Sequence, residues 1–212
     1  MKKLLLFVTA TMTLHVALLA QNTRFGFTAG TSIANYKYEY AGIKISGDAK
    51  VGISAGILVD IPVGGQFSIQ PALNFLQKGS TYEDLGEKAI TNVNCLEIPV
   101  NILYNASSGS GSFFVGAGPS FAFNMSGKEK YDDGTGEIEE DLSFGSDQDN
   151  DDMKSLDAGA NFLAGYRLAN GLFFSAGYNV GLSNLSLFPD DDESIKSNYF
   201  SFKIGFMLGG KK

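Results

Sequence analysis

Histidine, cysteine and tryptophan are nearly missing from this chain of 212 residues, which holds one His, one Cys and no Trp. The histidine, His15, falls in an N-terminal leader, so the remaining chain lacks the side chain most used as general base and metal ligand. That weighs against hydrolase chemistry and leaves no cofactor or built metal site to expect. The lone Cys95 excludes an internal disulfide and a cysteine-clustered metal site. Long apolar runs are also lacking, because no stretch after the leader can cross a bilayer as a helix. Whatever spans a membrane here must span it as strands.

What is present begins with the leader. Lys2 and Lys3 precede apolar runs at 4–7 and 16–19, and small Ala20 is followed by Gln21 and Asn22, the layout of a cleaved secretory signal over residues 1–20. The run is too short and too mixed for a permanent helix. Leu18 stands three positions before the cut, and no lipoprotein cysteine follows it. The mature chain, 21–212, keeps 14 basic residues against 23 acidic ones, a formal net charge of −9, which argues against nucleic acid as a partner.

From Arg24 onward the pattern has period two, the mark of strands with unlike faces. Val51, Ile53, Ala55, Ile57, Val59 and Ile61 alternate with Gly52, Ser54, Gly56, Leu58 and Asp60. Leu96, Ile98, Val100, Ile102 and Tyr104 alternate with Glu97, Pro99, Asn101 and Leu103. Eight such segments run over about 24–35, 50–61, 66–77, 92–105, 112–124, 155–168, 172–184 and 198–208, each long enough to cross a bilayer when tilted. Short turns at 62–65, 106–111 and 169–171 alternate with long polar connections, the longest over 125–154. An even strand count with this asymmetry predicts an all-β, eight-stranded antiparallel up-and-down transmembrane barrel with its short turns toward the periplasm.

The charges decide which face meets lipid. Across the eight segments the apolar face carries no Asp, Glu, Lys or Arg, whereas the other combines Gly, Ser and Asn with Asp60, Glu97, Asp157, Arg167 and Lys203. A soluble lipocalin-like barrel would expose that small-residue face to water; a narrow barrel interior explains it better. Phe25, Phe67, Tyr104, Phe113, Tyr166, Phe174 and Phe206 fall toward the turns, and Phe75, Phe121, Phe123 and Phe200 toward the loops, as two interfacial girdles would.

The stretches Leu96-Glu97-Ile98-Pro99-Val100, Gly116-Ala117-Gly118-Pro119 and Tyr178-Asn179-Val180-Gly181-Leu182-Ser183-Asn184 resemble the PorT-like outer-membrane β-barrel family. The resemblance covers the mature chain. It implies a small porin-like barrel of OmpA/OmpX-type architecture, in a family where some members assist protein secretion. Such barrels often end on an aromatic residue read by the barrel-insertion machinery; here Phe206 is followed by six further residues.

Candidate sites are few. Asp147, Asp149 and Asp151 alternate as in a calcium loop, but Asp152 stands where that loop needs glycine and Ala158 where it needs glutamate. With Asp132, Asp133, Glu137, Glu139, Glu140 and Asp141 they read as a mobile acidic loop, able at most to make weak contact with divalent cations shared with lipopolysaccharide. A second acidic group is Asp190, Asp191, Asp192 and Glu193. Barrel enzymes of this size rely on histidine, and Ser120 and Ser175 have no visible base. Asp60, Glu97, Arg167 and Lys203 point inward and should pair, Glu97 with Lys203 directly or through a water and Asp60 with Arg167, filling the lumen. The expected function is a non-enzymatic barrel of the outer membrane with a structural, adhesive or secretion-accessory role, surrounded by lipid and lipopolysaccharide and open to secretion-system or envelope protein partners. The competing readings are a small-solute channel and a soluble periplasmic binding barrel.

Overall fold

The computed structural model describes residues 23–84, 86–132, 134, 136–188 and 193–209. The expected leader, Asp133 and the acidic residues 190–192 lie outside the described residues. Among those described, every regular element is a strand: β1 (Arg24–Tyr40), β2 (Ile43–Ser46), β3 (Asp48–Gly64), β4 (Phe67–Asp84), β5 (Glu87–Ser108), β6 (Gly111–Asp132), β7 (Glu137–Leu142), β8 (Phe144–Gly145), β9 (Met153–Lys154), β10 (Leu156–Leu168), β11 (Leu172–Gly181) and β12 (Glu193–Leu208).

Eight of these close a ring. β1, β3, β4, β5, β6, β10, β11 and β12 pair antiparallel in that order, and β12 returns to β1 from Phe25↔Leu208 to Tyr40↔Glu193. Closure gives every ring strand a hydrogen-bonded neighbour on both sides, which is what a sheet in lipid requires. The period-two pattern sets the faces. Phe27, Ile57, Ile102 and Phe202 point outward and stay exposed, while Ser32, Ser54, Asp60, Glu97 and Asn101 point inward and are buried. Small residues let the walls approach: a Cβ at Gly118 would stand 1.9 Å from the Val100 carbonyl oxygen. The turn between Ser108 and Gly111 is two residues long and uses Gly109 at φ 57°, a conformation that costs glycine little.

The strands outrun the segments read from the sequence. β5 and β6 each have 22 residues, about twice the ~9–11 that cross a bilayer. The connections expected to be long polar loops are therefore largely paired backbone. β4 and β5 stay in register to Asp84↔Glu87, and β6 pairs with β7 from Gly127↔Leu142 to Asp132↔Glu137. Part of the acidic segment expected to be mobile is thus a ladder, because lysine alternates with acid across it. Lys130 pairs with Glu137 at 2.8 Å and with Glu139 at 3.0 Å, and Lys128 bonds Glu139. These ammonium groups, Lys128 first, hold the Glu139 carboxyl below its ordinary range.

Candidate functional site in the barrel interior

Inward side chains stack in tiers. At the turn end, Asp60 is fully buried, and its Oδ2 accepts from Arg167 Nη1 at 3.3 Å and from Arg24 Nη2. Arg24 stands directly across from Asp60 in the β1–β3 ladder, whereas Arg167 reaches it from β10. Arg167 Nη2 also donates to Asn105 Oδ1 at 3.0 Å and to Ser112 Oγ at 3.3 Å. The sequence pointed to Asp60 and Arg167 and missed Arg24, whose signal was its place in the inward phase at the first residue of the first strand.

The next tier is apolar. Leu58, Leu103, Phe114, Phe173 and Met207 are buried against one another, with the Phe114 and Phe173 rings edge to face at 6.1 Å. The inward face is therefore richer in large apolar groups than the expected lining of glycine, serine, asparagine and charge.

The middle tier is polar. Asn161 Nδ2 donates to Asn101 Oδ1 at 2.9 Å, and Asn179 Nδ2 donates to Ser120 Oγ at 2.6 Å. Here the geometry departs from a direct Glu97–Lys203 pair. Glu97 Oε1 accepts from the Tyr199 hydroxyl at 2.5 Å, and Oε2 accepts from Asn74 Nδ2 at 3.3 Å. Lys203 makes no ion pair among the described residues; it borders, with Glu97, a cavity of about 50 Å³, room for a water or two. The reason lies on β12, where Tyr199 shares the inward face with Lys203 and takes the Glu97 oxygen first.

Above this, Lys78 Nζ and Asp157 Oδ2 form a buried ion pair at 2.8 Å. Ser183 Oγ donates to the other Asp157 oxygen at 3.0 Å, and the ammonium lies 5.5 Å from the Tyr199 ring centre. Lys78 was missed because the third segment was drawn to residue 77. The outer end closes on Tyr36, Val93, Met153, Leu185 and Ile195, with Tyr38, Leu142 and Phe144 packed against them. Met153 and Leu185 come from connections between ring strands, so these segments fold inward over the opening.

The sequence matches the family described as outer membrane protein beta-barrel domain over residues 19–187. The chain belongs to that family. It is an outer-membrane β-barrel protein. Solved structures similar to it include the attachment invasion locus protein Ail of Yersinia pestis, with 12% identity, a TM-score of 0.44 and coverage of 88% of this chain and 99% of that one. They also include Neisserial surface protein A, with 13%, 0.44, and 86% and 96%, and OprG of Pseudomonas aeruginosa, with 9%, 0.46, and 90% and 98%. No curated protein matches.

In the connection between β8 and β9, Asp147, Asp149 and Asp151 of this outer-membrane protein form a self-contained turn. Asp147 Oδ1 accepts from the Asp149 N–H at 3.1 Å, Asp147 Oδ2 accepts from Asn150 Nδ2 at 2.8 Å, and Asp151 Oδ2 accepts from the Asp147 N–H at 2.9 Å. The Asn150 amide, then the Asp149 N–H, hold Asp147 below the usual carboxylate range. These oxygens are engaged in closing the turn, and no group of three or more candidate ligands for a metal ion occurs among the described residues.

Proposed function

We propose that this outer-membrane barrel is a non-enzymatic member of its family, closed to solutes, with a structural, adhesive or secretion-accessory role performed at its strand-built outer end. We place it nearest the PorT-like barrels, on the three motifs quoted above. The observation that carries the reading is the stacking of two apolar tiers, Leu58 with Phe114 and Phe173 below and Tyr36 with Met153 and Leu185 above, on either side of a hydrogen-bonded polar belt. A hydrated ion crossing that path would have to displace large packed side chains at both levels. Lipid and lipopolysaccharide surround the apolar band in this account, and envelope proteins are the partners to look for at the outer end.

Planar-bilayer recording tests it. The folded protein should give no regular conductance steps, whereas joint Phe114→Ala and Phe173→Ala replacement, with the outer tier shortened by Met153→Ala, should produce them. Regular steps from the parent protein would overturn the closed reading in favour of a small-solute channel.

A further inference from the structure

The chain contains two arginines, Arg24 and Arg167, and the fold brings both to the same oxygen of Asp60. Neither makes a two-bonded fork with that carboxylate: Arg24 and Arg167 each use one nitrogen on it. No second carboxylate among the described residues lies within 4.0 Å of either guanidinium. Among the described residues, two cations against one anion leave one positive charge at the turn end of a protein that is otherwise acidic. Arg167 is nearly buried, but the Arg24 side chain keeps 24% of its exposure. Both border a cavity of about 560 Å³ at this end, lined also by Ser107, Ser110 and Ser112.

A net cationic mouth with hydroxyl donors around it suits an anion, and a guanidinium fork matches the paired oxygens of a carboxylate or phosphate. We infer that the turn-end mouth is an oxyanion-binding site that takes a carboxylate or a phosphate monoester carried by a periplasmic molecule. Arg24 is the principal ligand, Arg167 supplies the second charge, and the serines of the adjacent turn add hydroxyl donors. The site adds a binding activity at the end of the barrel opposite the Tyr36–Met153–Leu185 tier and does not require a conducting lumen.

The presence of two arginines makes the test selective. The mature protein, labelled with nitrogen-15 at arginine and folded in maltoside micelles that contain no phosphate, gives one Nε–Hε resonance for each. Sodium phosphate and sodium acetate are titrated separately against sodium chloride at constant ionic strength. Saturable movement of the arginine signals with phosphate alone assigns a phosphate monoester, with acetate alone a carboxylate, and with both a general oxyanion site. In Arg24→Gln, where Asp60 keeps Arg167 and the barrel stays heat-modifiable on gels, affinity should fall about tenfold or more. No saturation with either salt beyond chloride, or undiminished saturation in Arg24→Gln, overturns the inference.

Discussion

Arginine at Ile57 or Ile102 should lower the unfolding free energy of the barrel in lipid vesicles by ~2–4 kcal/mol. Both side chains stand on the outer face, 62% and 60% exposed, Ile57 at the centre of β3 and Ile102 in the turn-side part of β5, whose other end outruns the bilayer. Ile57 lies beside Phe27 and Leu73, and Ile102 beside Ile69 and Ala117. Water would tolerate a cation at such positions, but hydrocarbon does not, and the cost is greatest at mid-membrane, where a long side chain cannot reach the headgroups. Arginine at Ser54 acts differently. That side chain is 2% exposed and points inward, so the damage comes from crowding and should persist in detergent as well as in lipid. Urea titration of the three variants distinguishes the mechanisms, and parental stability of both isoleucine variants would reverse the assignment of the faces.

Lys78→Met should be the most damaging change in the interior, at ~3–5 kcal/mol. Lys78 and Asp157 are almost wholly buried, with side chains 2% and 4% exposed. Removing the ammonium leaves the carboxylate in a place where water cannot solvate it. Adding Asp157→Asn to Lys78→Met should recover much of the loss, since the neutral amide still accepts from Ser183 and no charge remains to be buried. Lys128→Ala, in the exposed ladder with Glu139 and Asp141, should leave stability within error, because water and salt already screen that pair. Lys203→Met should also cost less than Lys78→Met, having no ion pair to break. Additive effects of the two changes at 78 and 157 would contradict the buried pair.

Legibility in the sequence followed the bilayer. Within the lipid band every outward residue must be apolar and every inward one small, polar or packed, so the alternation set the strand count, the faces and the short turns. It also set the inward phase in which Asp60 and Arg167 meet. Beyond the band the outward face meets water and turns polar, so the contrast between faces fades and the outer ends of the strands, 78–84 of β4, 87–91 of β5 and 125–132 of β6, read as loop. A bulge deepens the difficulty: Asn94 pairs with Ser126 but Cys95 with Asn124, leaving Met125 unpaired. The inward phase on β6 therefore shifts from even to odd positions, which turns Glu129 toward Thr91. The partner of Glu97 was illegible for another reason. Strand order places Lys203 across the barrel, but only packing decides that Tyr199, on the same face of the same strand, reaches the carboxylate.

The thiol of Cys95 offers the most direct measurement of whether the interior is filled. It is the chain's one cysteine, fully buried on the inward face between the Glu97 belt and the outer apolar tier, with Leu76, Ala34 and Ala122 packed around it. Its Sγ donates to the Leu76 carbonyl at 3.3 Å. The folded protein in lipid vesicles should resist a membrane-impermeant maleimide supplied on both sides of the bilayer, and the urea-unfolded chain should react to completion. Rapid labelling of the folded barrel would mean that water reaches the middle of the lumen and would contradict the filled interior on which this account rests.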